Sequence, residues 1–137
     1  MEEDNCIFCK IVNNQIPCSK IFENEKIMAF LDLSPVNKGH ALVIPKEHHK
    51  DLLDMPEATL SELTKAAKKV AKAVVKATKA DGFNIGQNNG KAAGQIVFHF
   101  HLHVIPRFEN DGLVPWPQGK YEEGEMDRLA KEISSIL

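Results

Sequence analysis

Hydrophobic positions along the chain follow two periods, and each predicts a different element. Between Pro56 and Ala80 the residues Leu60, Leu63, Ala67, Val70, Val74 and Ala77 recur at steps of three and four. That spacing predicts a helix with one core-facing stripe. Pro56 suits its first turn, Thr59 and Glu62 offer a capping box, and Gly82 supplies a stop. Elsewhere the apolar runs are short and punctuated. Lys20-Ile21-Phe22 and Lys26 to Leu31 read as strands joined by the turn Glu23-Asn24-Glu25. Ala41 to Ile44 is a third, entered through Asn37-Lys38-Gly39 and stopped by Pro45. Phe83 to Gly86 is a fourth, and Ile96 to Ile105, ending at Pro106, a fifth. Residues 5 to 13 suggest one or two helical turns. Met126 to Leu137 predicts a terminal helix with Leu129, Ile133, Ile136 and Leu137 as its apolar side. Strands joined by hairpin-length loops, with helices between and after them, imply an α+β fold with a mostly antiparallel sheet.

Composition narrows the class. The 137 residues are 43% hydrophobic and 26% charged, near the globular average, which disfavours disordered, collagenous and coiled-coil chains. The length suits one domain spanning 1–137. Lys and Arg number 17 against 19 Asp and Glu, for a net charge of −2, so the basic excess of a nucleic-acid groove is missing. Lys65, Lys68, Lys69, Lys72, Lys76 and Lys79 read as the solvated face of the long helix. No run approaches the roughly 18–20 apolar residues of a membrane span, and the acidic start does not read as a secretory signal. Of three cysteines, two form Cys6-x-x-Cys9. Without an export signal, that spacing points to metal or redox chemistry rather than a disulfide framework, and to a cytoplasmic protein.

Half of the six histidines fall in Phe98-His99-Phe100-His101-Leu102-His103-Val104-Ile105. On a strand, alternation puts His99, His101 and His103 on one face about 7 Å apart per step. Phe98, Phe100, Leu102 and Val104 would then face the helix. Folding does not require three imidazoles on a polar face, so the pattern marks a site. Imidazoles from alternate positions can ligate a metal, and a neutral imidazole can act as a nucleophile near pH 7. Spacing leaves both uses open.

The strand resembles the motif of the histidine triad (HIT) family, three histidines alternating with apolar residues. The likeness extends to Cys6 to Ile11, Phe30 to Pro35, Gly39 to Lys46, Ala93-Gly94-Gln95 and Trp116 to Gly119, which look like the Hint-type branch in prokaryotes. The resemblance implies a five-stranded HIT-like fold and an enzyme acting at the α-phosphate of nucleoside monophosphate conjugates, with purine ribonucleotides preferred. By that likeness His101 attacks phosphorus to form a nucleotidyl-imidazole, with a main-chain carbonyl holding its far ring nitrogen. His103 contacts the phosphate, Gln95 donates to a phosphate oxygen, and His40 assists the leaving group. Asp32 accepts from the ribose hydroxyls, Phe30 and Leu33 flank the base, and Asn88 reaches the ribose or phosphate. Read without the family, Asp32 is a turn residue before Ser34-Pro35 and Asn88 a turn amide. Ile96 departs from the small hydroxyl residue of animal Hint members, which removes one donor to the leaving group.

Cys6 and Cys9 alone fit zinc or a thiol–disulfide pair, but a redox pair would expect a thioredoxin-like β-α-β setting. Zinc needs two more ligands, for which His48 or His49 and a triad histidine are candidates. The resemblance selects Cys6, Cys9, His48 and His99 as a closed structural Zn2+ site, with no organic cofactor. Cys18 reads as a packed small hydrophobe. The family also implies a homodimer, to which the apolar residues around Trp116 add a hint. Alternative functions are dinucleoside polyphosphate hydrolysis, a nucleotide-binding regulator with little turnover, and a hydrolase with metal on all three triad histidines.

Overall fold

The structure is a computed structural model and describes residues 3–137. Strands β1 (Lys20–Glu23) and β2 (Ile27–Leu31) form a hairpin because Asn24 Oδ1 accepts from the Lys26 and Ile27 N–H groups at 2.9 and 2.8 Å. With β3 (Ala41–Pro45), β4 (Gly82–Gly86) and β5 (Leu102–Arg107) they build one sheet in the order β1-β2-β3-β5-β4, every neighbouring pair antiparallel. The α+β, five-stranded expectation is borne out.

Strand alternation explains how helices cover both faces of the centre. Ile27 and Ala29 of β2, with Ala41 and Val43 of β3, point to α2 (Glu57–Thr78) and pack with Leu63, Ala67, Val70 and Val74. The intervening Met28, Phe30, Leu42 and Ile44 pack on the other face with Phe8, Cys9 and Ile11 of α1 (Ile7–Val12). Strands buried on both faces read as continuous apolar runs, which is what β2 and β3 are. Each fully buried aliphatic side chain, such as Leu63, contributes about 1.5–3 kcal/mol. This second cluster brings the Cys-x-x-Cys turn against the sheet.

Several local expectations are corrected. The capping box does not form, since α2 starts after Pro56 without a side-chain cap. The helix stops at Lys79, which takes the left-handed conformation at φ 57, while Gly82 opens β4. Ala77 is exposed; Ala66 and Ala71 complete the buried stripe instead. The loop before β3 needs Gly39, whose φ is +101; a Cβ there would sit 2.6 Å from Thr78 Cγ2.

The fifth strand begins six residues later than expected and runs through Pro106 to Arg107. Its pairing with β3 covers only Leu102 to Val104, so Pro106 lies where β4 alone flanks the strand and a missing N–H costs little. Before Leu102 the backbone leaves the ladder; the Phe100 N–H donates to His49 O at 2.6 Å. Phe100 and Val104 still face α2, but Phe98 is exposed. Helix α3 (Glu125–Ile136) buries none of its residues, and Leu129, Ile133 and Ile136 face outward, as does Trp116. Among the described residues no helix is long and apolar enough to cross a membrane.

Candidate active site and metal centre

Leaving the ladder at Leu102 divides the three histidines between two tasks. His99 is fully buried, and its Nε2–H donates to Pro45 O at 2.8 Å, which leaves the Nδ1 lone pair free of a proton. That nitrogen points at Cys6 Sγ, 3.3 Å away, and Cys9 Sγ, 3.6 Å away. His48 Nδ1 lies 3.4 Å from Cys9 Sγ, and the four ligand atoms all fall within 4.8 Å of one another. A tetrahedral zinc with bonds of about 2.3 Å to sulfur and 2.0–2.1 Å to nitrogen separates those atoms by roughly 3.6 Å. The donor set therefore fits zinc, and the Pro45 carbonyl is the outer partner that fixes a ligand's tautomer. His49 is not part of it: Nδ1 lies 4.0 Å from Asp54 Oδ2, and Nε2 is buried without a hydrogen-bond partner. Cys18 packs half-buried at the edge of the α1 cluster.

His101 is turned the other way. Its Nδ1–H donates to His99 O at 2.7 Å, so Nε2 carries the lone pair. Among the described residues, His49 Nε2 is the one buried side-chain nitrogen or oxygen without a partner. The unbonded Nε2 of His101, a residue 8% exposed, therefore reaches solvent. The acceptor that the sequence left unnamed is thus the carbonyl of His99, itself a member of the cysteine–histidine cluster. Burial, opposed by that hydrogen bond and by Asp32, holds the ring below the usual histidine pKa and keeps the lone pair available.

The third ring is set by a relay. The Val36 N–H donates to His40 Nδ1 at 3.0 Å, so His40 carries its proton on Nε2 and passes it toward His103 Nδ1 at 2.9 Å. His103 must then be the Nε2–H tautomer, a donor to the cleft that it lines. Asp32 Oδ2 is 3.7 Å from His40 Nε2, and these three ligand atoms also lie close enough to surround an ion. The Val36 N–H argues against ligation there, because it keeps the His40 lone pair on the wrong nitrogen. With His99 turned to the cysteines and the other two rings tied to protein acceptors and donors, one metal on all three triad histidines does not fit.

Desolvation, reinforced by His101 and His40 and opposed by Asp32, lowers the His103 pKa to about 4. The folded pKa lies below the usual 6.5, so the stabilising neutral form is complete above about pH 6.5 and is lost as pH falls through about 4. Imidazole NMR should find His103 still neutral, with Nε2–H, at pH 5.5; a titration midpoint near 6.5 would contradict the relay.

The remaining residues are placed less uniformly. A cleft of about 700 Å³ is bordered by His40, Asn84, Asn88, His103, Arg107 and Trp116, among others. Asn88 is half-buried in its wall. Asp32 makes the turn: Oδ1 accepts the Ser34 N–H, while Oδ2 faces His40 Nε2. Phe30 is a correction, since it is 3% exposed and packs edge-on to Phe8 in the core, whereas Leu33 beside Asp32 is 96% exposed. Gln95 is another. Its amide donates to Lys50 O at 2.8 Å and Val97 O at 3.1 Å, and its oxygen accepts the Gly90 N–H at 2.8 Å. Both amide hydrogens are spent on the backbone, so Gln95 braces the loops instead of offering a donor to phosphate. Sequence reading missed Asp111, which accepts from Arg107, Asn37 and the Phe108 and Leu113 N–H groups and anchors the segment leading to Trp116. The Arg107 guanidinium holds its carboxyl far below the ordinary range.

The chain resembles known proteins in sequence and in fold. The HIT domain family model matches residues 13–110. An uncharacterized HIT-like protein of Methanocaldococcus jannaschii is 46% identical over 93% of this chain and 98% of its own. An adenosine 5'-monophosphoramidase of Schizosaccharomyces pombe is 44% identical over 97% and 98%. Among solved structures, a HIT family protein from Bacillus anthracis matches with a TM-score of 0.88 at 44% identity, covering 98% of both chains. A zinc-bound histidine triad family protein from Mycobacterium smegmatis matches at 0.77 and 40% identity, covering 96% and 97%.

Proposed function

The chain belongs to the HIT domain family, and from that premise we propose that it is a nucleotide-binding hydrolase or transferase acting at the α-phosphate of nucleoside monophosphate conjugates. The reading includes a phosphoramidate-type substrate, a purine preference and a covalent nucleotidyl-His101 intermediate. One observation carries it: His101 Nδ1–H is held by His99 O, so the solvent-reaching Nε2 is unprotonated and free to attack.

In the first step the Nε2 lone pair forms a bond to phosphorus while the bond to the leaving group breaks. The leaving group departs with that electron pair and takes up a proton. In the second, water attacks phosphorus, the nitrogen–phosphorus bond breaks, and the lone pair returns to Nε2 as the nucleoside monophosphate and a proton are released. Imidazole suits both steps, being nucleophile and leaving group in turn. His103 Nε2–H donates to a non-bridging oxygen as charge shifts in the transition state. His40 holds His103 in that tautomer, so its assistance is indirect. Asp32, whose oxygens retain lone pairs beyond the Ser34 bond, accepts from the ribose hydroxyls. Asn88 meets the ribose or phosphate, exposed Leu33 covers the base, and Phe30 supports that strand from the core. Cys6, Cys9, His48 and His99 would hold a structural zinc, whose chemistry is to tie α1 to the catalytic segment.

The homodimer is part of this reading. Edge strand β4 exposes Phe83 and Ile85 beside Ala67, Ala71 and Val75 of α2, around an apolar groove of about 490 Å³. An apolar sheet edge is a surface that a second copy can cover. Thiols reserved for metal fit a cytoplasmic setting.

Steady-state rates separate the alternatives. Adenosine phosphoramidate should be turned over faster than diadenosine polyphosphates. The reverse order would move the assignment to polyphosphate hydrolysis. Tight monophosphate binding with neither turned over would make the protein a regulator.

A further inference from the structure

We propose that Phe8 is a positioning residue for the His101 ring; the inference rests on the reading of His101 as nucleophile. Phe8 sits between Cys6 and Cys9 and is 6% exposed. Its ring stands T-shaped to three others: His101 at 5.1 Å and 82°, His99 at 5.8 Å and 77°, and Phe30 at 5.6 Å and 70°. Such edge-on packing is a preferred arrangement of aromatic rings and resists tilting of either partner.

The need for it follows from geometry. The bond from His101 Nδ1–H to His99 O fixes where that nitrogen points, yet a ring hinged on one hydrogen bond can still roll about it. Rolling would swing Nε2 off the line to phosphorus. The walls that prevent it are Phe8 and the His103 ring, whose centroid lies 5.0 Å away. His103 is itself fixed through His40 and Val36. Phe8 is fixed by its neighbours: Cys6 Sγ accepts the Cys9 N–H at 3.4 Å, and both thiols belong to the four-ligand cluster. The same cluster contains His99, whose carbonyl is the hinge. A metal held there would clamp both the hinge and one wall of the nucleophile, without touching substrate. α1 is six residues long, too short to be rigid alone, so the clamp explains why its ring can serve as a wall.

The test uses Phe8→Leu, and Phe8→Met should the first fail to fold, in the metal-loaded protein. The expected result is unchanged metal content and a KM for adenosine phosphoramidate within about twofold. The kcat should fall by about tenfold, given that misplacement by 1 Å can cost on the order of 100-fold. Imidazole NMR without substrate should show His101 keeping its Nδ1–H tautomer while the nuclear Overhauser contacts between its ring protons and the His103 ring weaken. Stripping metal from the native chain should move the same signals in the same direction. Unchanged kcat, or unchanged contacts between the His101 and His103 rings, in a folded, metal-loaded variant would overturn the inference. If the native chain forms no nucleotidyl adduct, the functional reading fails instead, while the ring-to-ring contacts still decide whether Phe8 fixes the ring.

Discussion

His101→Asn should bind adenosine monophosphate within a few-fold of the native chain and lose turnover by about 1,000-fold or more. Asparagine retains a side-chain N–H that can donate to His99 O, so the local backbone keeps its partner. What it lacks is a basic nitrogen lone pair. The amide nitrogen is delocalised and does not attack phosphorus, so the two-step route closes while the cleft stays intact. Calorimetric titration with the monophosphate reads the first part and steady-state kinetics the second. A variant that kept native turnover would remove His101 from the chemistry. One that lost binding as well would place the residue in recognition.

The second large effect concerns the cysteine–histidine cluster. Structural zinc contributes folding free energy outright, because the unfolded chain has no preformed site. Its removal should cost several kcal/mol, and at about 2–4 °C per kcal/mol for domains somewhat larger than this one the thermal midpoint should fall by roughly 10–20 °C. Chelator-treated native protein and Cys9→Ser should both show that drop by differential scanning calorimetry. Cys18→Ser, outside the cluster, should move the midpoint far less. Turnover should decline with the metal but not vanish, since His101 is oriented by a carbonyl and not by the ion. A midpoint indifferent to chelation would contradict the site. Complete and instantly reversible loss of turnover at an unchanged midpoint would point to an ion in the chemistry itself.

How much of this was legible before the fold depends on where each feature's cause lies. The α2 stripe and the twin apolar runs of β2 and β3 were readable because burial is written in side-chain type. The four candidate ligands were readable as a set only through family likeness, and in the fold it is His48, not His49, whose ring nitrogen faces Cys9. The start of β5 was missed because its ladders stop short of the histidine run: β3 continues to Pro45 but pairs with β5 no further than Val43, β4 ends opposite His103, and the histidines before it spend their polar groups on other carbonyls. The decisive hydrogen bonds use the Val36 N–H and the Pro45 and His99 carbonyls. Every residue but proline carries both groups, so no residue type announces them. Gln95 was misread for the opposite reason: a polar side chain beside a site suggests a ligand, but three backbone groups had already claimed it.

The most direct check is to mix the protein with adenosine phosphoramidate, quench within the first turnover and map the adduct by mass spectrometry. The account predicts one adenylyl group on the peptide carrying His101, absent in His101→Asn. Product formed without any adduct on that peptide, under conditions that preserve phosphohistidine, would contradict it.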